Sequence, residues 1–214
     1  YLPLLEHSQR PPKIIPKAMA DIPELFIQMI CAVFKPSVES GIAEEEPLNS
    51  THAKNIATQA FNVLRVWDIV PGTLSDGSID ANALEKWVKT ARKLAKARGR
   101  DVIADQKIGE VLSASPMGND DIWPALEIRE LIETVRSEHM EIGFVIGQRN
   151  RRGVTTRALR AGGIQERDLA SRYYAYSKAT ALEWPRTSTA LKEIAQGYEV
   201  EAKMHDDSVE KLDW

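Results

Sequence analysis

A single cysteine, Cys31, is all the thiol this 214-residue chain carries. No internal disulfide is available, and a small core residue in a reducing, cytoplasmic setting is the expectation. Histidine is equally sparse: His7, His52, His139 and His205 stand far apart, and no Cys-x-x-Cys or His-x-x-x-His occurs. The spacing that holds zinc is therefore missing, and no metal is expected. Nor is there a phosphate-binding Walker loop, a dinucleotide glycine fingerprint or a Gly-x-Ser-x-Gly elbow, so no cofactor is expected. The longest apolar run, residues 27–34, is interrupted by Gln28 and falls short of the roughly 20 residues of a membrane span. Alternating β-branched runs are absent, as are Asn-Gly and Asp-Gly turns between strand-like segments, which argues against a sheet. The opening lacks an initiator methionine and the charged-then-apolar plan of a signal peptide. It reads as the interior of a longer chain, of which this is the C-terminal part. Net charge is −3 with a sequence pI near 5.9, so nucleic-acid binding would need a local basic patch.

What is present is helical periodicity. Asp21 with Pro23 marks a first helix, whose apolar face runs through Leu25, Phe26, Met29, Ile30, Val33 and Phe34 and stops at Pro36. An acidic linker, residues 37–49, separates a possible sub-unit 1–36 from 50–214 within a single all-α domain, 1–214. A second helix follows Ser50 and is ended by Pro71-Gly72. A third, capped by Asp80 and reaching Arg98, buries Leu84, Trp87, Val88 and Ala91 and turns Lys86, Lys89, Arg92, Lys93 and Lys96 outward. That basic face is either a solvated surface or a binding surface. Further helices are expected over residues 101–113, from Pro124, over 139–150, 165–182 and 187–211. The sixth, broken by Gly143 and Gly147, suits close packing on a neighbour. About eight helices packed as successive hairpins, without a sheet, is the predicted architecture. Asp76-Gly77-Ser78-Ile79 resembles the centre of a calcium loop, but that alignment puts Gly72, Leu74 and Ala83 where oxygen ligands belong. A turn into the Asp80-capped helix is the reading adopted.

The most distinctive stretch is 147–172. It holds Arg149, Arg151, Arg152, Arg157, Arg160, Arg167 and Arg172, no lysine, and only Glu166 and Asp168 in opposition, for a formal charge of +5. The guanidinium fork matches carboxylates and phosphates. Three readings stay open: an anion cradle helped by the helix start after Gly162-Gly163, a surface for acidic partners, or internal ion pairs with Glu138, Glu141, Glu166, Asp168 or the acidic tail. Arg149, Arg151, Arg152, Arg157, Arg160 and Arg167 are the candidate ligand- or partner-binding residues. Tyr173, Tyr174 and Tyr176 follow at helical spacing and are expected in the core and helix rim.

Residues 4–12 (LLEHSQRPP), 104–112 (ADQKIGEVL), 122–133 (IWPALEIRELIE), 141–157 (EIGFVIGQRNRRGVTTR), 162–173 (GGIQERDLASRY) and 183–202 (EWPRTSTALKEIAQGYEVEA) resemble the C-terminal region of a group of very large, uncharacterised bacterial proteins, some loosely labelled helix-turn-helix regulators. The resemblance covers most of the chain and is most distinctive over 141–173. It implies a helical C-terminal domain of a multidomain intracellular protein, with no established activity and no catalytic residues to transfer. Met204 and Trp214 depart from the longer charged ending of that group.

The expected function is a non-catalytic interaction or scaffolding domain engaging other domains of a parent protein or a protein partner. The alternative is nucleic-acid or phosphate-ligand binding through the arginines of 149–160. A third reading is an enzyme built on Glu138, His139 and Arg157 around a cleft.

Overall fold

A computed structural model describes residues 14–42, 51–153 and 162–210. The fold is all-α: among the described residues there are nine α-helices and no β-strand. They are α1 (Ile14–Asp21), α2 (Pro23–Val33), α3 (Thr51–Val66), α4 (Ala81–Ala97), α5 (Asp101–Leu112), α6 (Leu126–Val135), α7 (Glu138–Arg151), α8 (Ile164–Thr180) and α9 (Pro185–Glu210). The helix beyond those expected is α1. Asp21 ends α1 rather than capping α2, whose cap position is Ile22 with no side-chain hydrogen bond. Pro23 occupies the first turn of α2, where its missing N–H costs nothing.

The capping expected at Asp80 is realised, its Oδ1 accepting from the Ala83 N–H at 3.0 Å. The preceding segment is a tight turn. Asp76 Oδ1 accepts from the Ser78 N–H and hydroxyl at 3.0 and 2.6 Å, and Gly77 takes φ +87°, where a side chain would be strained. Trp123-Pro124 is a cis peptide.

Two aromatic groups anchor one continuous core. In the first, Phe26 of α2, Trp67 just after α3 and Trp87 of α4 meet with ring centroids 5.2–5.8 Å apart, and the Trp87 indole N–H donates to the Met19 carbonyl at 3.0 Å. In the second, Trp123 stacks on Phe144 of α7 and meets the edge of Tyr173 of α8, which stacks on Tyr198 of α9. Truncating one such ring to alanine costs about 3–5 kcal/mol. Asp105 of α5 joins the halves. It accepts two bonds from Arg92 of α4 and one from the Ser137 hydroxyl at 2.6 Å, while Ser137 caps α7 by accepting from the Met140 N–H.

The most extensive helix pairings are α8 with α9, a true hairpin, and α5 with α7, which skips α6. The second depends on Gly109 and Gly143. A β-carbon at 109 would lie 1.9 Å from the Met140 carbonyl oxygen, and one at 143 would lie 2.0 Å from that of Gln106. The glycines in the sixth predicted helix thus mark close backbone approach, as expected from their position on an apolar face.

Cys31 is partly buried against the core. Residues 34–37, which lead into the acidic linker, are tied to the α4–α5 connection by Ser37 N–H to Gly99 O at 2.7 Å and Arg100 Nε to Phe34 O at 2.9 Å. Residues 43–49 of that linker lie outside the described residues.

Candidate functional site

Arg149, Arg151 and Arg152 occupy the last turn of α7 and its C-cap, and Arg167 lies in the first turn of α8. Arg157 and Arg160 lie outside the described residues. The last three turns of α9 lie alongside these two helix ends. There Glu201 offers its two carboxylate oxygens to two arginines, with Arg149 Nη2 at 2.8 Å and Arg152 Nη1 at 3.2 Å. Arg152 also binds Glu166 of α8, whose residue is fully buried, and its guanidinium stands 5.4 Å from the Tyr198 ring centroid. His205 Nε2 is 3.9 Å from the same Glu166 carboxylate. Arg167 Nη1 reaches Asp206 at 2.5 Å, and Asp206 also accepts from the Gly163 N–H at 2.9 Å.

The electrostatics follow from these contacts. The Arg167 hydrogen bond, with the Gly163 N–H, holds the Asp206 carboxyl below the usual carboxylate range. Arg167 is raised in turn by that bond. Burial pushes the Tyr198 phenol up, against the opposing pull of the nearby Arg152 guanidinium. Three of the candidate arginines therefore face carboxylates of the same chain, and these pairs fasten the end of α7 and the start of α8 to α9. Of the partners considered from sequence, Glu166 and the acidic end of α9 take part. Glu141 instead binds Arg186 of α9 at 2.6 Å.

Arg151 behaves differently. Its Nε donates to Ser113 Oγ at 2.9 Å, and it lines a cleft of about 330 Å³ between the end of α3 and the end of α7. Burial lowers the Arg151 pKa, although the residue as a whole is exposed, and the Asp68 and Glu110 carboxylates oppose that shift. Glu138 and His139 are exposed in the first turn of α7. A helix of this length separates them from Arg149 and Arg152 by about 20 Å. Among the described residues no group of three or more His, Cys, Asp or Glu is placed to hold a metal ion. No helix of the described residues is long and apolar enough to cross a membrane.

A second cationic region lies on α4. Lys86, Lys89, Lys93 and Lys96 are exposed, and none forms an ion pair or side-chain hydrogen bond with another described residue. At 100° and 1.5 Å per residue they occupy an arc of about 80° and a length of about 15 Å. Leu84, Trp87, Val88, Ala91 and Ala95 are buried on the opposite face. Arg92 turns aside to Asp105, and Glu85 is the single carboxylate of the helix.

Sequence reasoning located the arginines and the lysines but missed Glu201, Asp68 and Arg65. The i, i+3 spacing of Arg149 and Arg152 does place both on one helix face, which signals a shared partner. Nothing in the sequence says that the partner is Glu201, 49 residues beyond Arg152. No protein-family model, curated protein or solved structure matches this chain.

Proposed function

We propose that this chain is a non-catalytic helical interaction module that presents the lysine face of α4 to an acidic protein surface. The resemblance to the C-terminal regions of large bacterial proteins makes another domain of such a protein, in the cytoplasm, the natural source of that surface. The observation that carries the reading is the contrast in charge satisfaction. Arg149, Arg152 and Arg167 spend their charge on Glu201, Glu166 and Asp206, while Lys86, Lys89, Lys93 and Lys96 form a linear, solvent-facing row with no described partner. A row of unpaired cations on a chain of net charge −3 orients approach by charge and selects an acidic patch. Lysine suits this role because its ammonium is a hydrated point charge without the directional fork that fixes arginine to one carboxylate.

The test is fluorescence anisotropy of a labelled poly-L-glutamate peptide titrated with the native chain. Binding is expected to weaken progressively as salt rises from about 0.05 to 0.3 M, because exposed charges are screened over that range. Undetectable or salt-independent binding contradicts the reading. Tighter binding to duplex DNA or RNA than to poly-L-glutamate moves the function to the nucleic-acid alternative.

A further inference from the structure

The cleft between the ends of α3 and α7 is a distinct feature and owes nothing to the lysine face. Its polar walls come from three parts of the chain: Arg65 and Asp68 at the end of α3, Glu110 of α5, and Asn150 and Arg151 of α7. At about 330 Å³ it is the size of a small-molecule site. Its charges are incompletely matched from within. Lys107 neutralises Glu110 with bonds of 2.7 and 2.8 Å. Arg151 uses Nε on Ser113 Oγ and brings Nη2 within 3.5 Å of the Glu110 carbonyl, so most of its five donors stay open. Asp68 and Arg65 form no ion pair with another described residue, and Asp68 influences Arg151 only through space. Trp67, which also lines the cleft, has a buried indole N–H without an acceptor.

Two guanidinium groups and one carboxylate, none of them in an ion pair with a described residue, therefore line a common space. A ligand of one sign cannot satisfy them: a dianion would meet Asp68, and a cation would meet Arg65 and Arg151. The complement carries two carboxylates and one ammonium. The C-terminal end of α3, with its partial negative charge, adds to the preference for the ammonium beside Asp68. We propose that this cleft binds a free acidic α-amino acid, its two carboxylates on Arg65 and Arg151 and its ammonium on Asp68. Asn150 supplies a carboxamide that either end can use.

Isothermal titration calorimetry with L-glutamate, L-glutamine and glutarate on the native chain tests this. L-Glutamate is expected to bind most tightly. L-Glutamine, short of one carboxylate, and glutarate, short of the ammonium, should each lose about tenfold or more, the worth of one charge-assisted hydrogen bond. Arg151→Gln should weaken L-glutamate to a similar degree, and Arg65→Gln, at an exposed position, provides the same test without touching a desolvated group. Asp68→Asn should weaken L-glutamate yet strengthen glutarate, an inversion that general loss of structure does not produce. No binding of L-glutamate, equal binding of glutarate, or indifference to both arginine changes would overturn the proposal. None of these outcomes bears on the lysine face of α4.

Discussion

At the junction of α7, α8 and α9, Arg149, Arg152 and Arg167 meet Glu201, Glu166 and Asp206, whereas along α4 Lys86, Lys89, Lys93 and Lys96 meet no described carboxylate. Both regions are strongly cationic, and from sequence the first is the more conspicuous. The difference lies in chemistry and in packing. Guanidinium groups tolerate partial burial when a carboxylate takes their fork, so they can close a helix junction from the inside. Ammonium groups on flexible stems resist desolvation and line the outside of an amphipathic helix whose other face is the core. The same division recurs at Arg129, a fully buried arginine of α6 that donates to the Pro124 carbonyl and both oxygens of Asp120 and lies 4.7 Å from the Trp184 ring centroid.

If arginines serve the interior and lysines the exterior, substitutions in the two sets should separate stability from binding. The largest effect is expected at Arg129. Arg129→Ala empties a fully buried site and removes packing against Trp184 and the bond to the Pro124 carbonyl, while Asp120, at 44% side-chain exposure, keeps its access to water. Urea denaturation should show a loss of about 3–5 kcal/mol, the cost of truncating a large buried side chain. Arg152→Ala comes next. It deprives the buried Glu166 of a partner, and a loss of about 3 kcal/mol is expected, the low end of that range because His205 remains nearby. An unchanged denaturation midpoint would remove Arg152 from the interior set.

A smaller, pH-dependent effect belongs to Asp206. Its folded pKa is depressed, first by Arg167 and then by the Gly163 N–H. The stability it contributes is therefore present above its unfolded pKa and is lost as the pH falls through its lower folded value. Asp206→Asn should flatten that part of the stability profile below the usual carboxylate range, and added salt should reduce the difference. The smallest effect on stability is expected for the simultaneous change of Lys86, Lys89, Lys93 and Lys96 to Gln. It should shift unfolding by no more than about 1 kcal/mol, because the four positions are exposed and unpaired among the described residues and only Lys96, in the last turn, meets the helix dipole.

The all-helical fold was legible in the sequence because its signals are local. Apolar residues three and four apart gave the helices, Asp80 gave a helix start, and Gly143 gave a close crossing whose partner proved to be α5 rather than an adjacent helix. The helix α1 escaped because Asp21 and Pro23 make a good start signal on their own, which hid a short helix ending at the same aspartate. The candidate site was less legible. Arg149 and Arg152 could be singled out, but their partners lie on α8 and α9, and only the folded α8–α9 hairpin brings Glu166, Tyr198 and Glu201 to the end of α7. Asp68 and Arg151 are likewise brought to one cleft by tertiary packing, and no spacing in the sequence announces it.

The most direct test of the central claim compares two variants against the native chain in one binding measurement. One carries Gln at 86, 89, 93 and 96, and the other carries Gln at 149 and 167, whose ion pairs are the exposed ones. Anisotropy with labelled poly-L-glutamate at low salt should show a loss of about tenfold or more for the lysine variant and less than about twofold for the arginine variant. The reverse order, with binding lost on changing Arg149 and Arg167 and kept without the lysines, would contradict the account and return function to the arginine-rich junction.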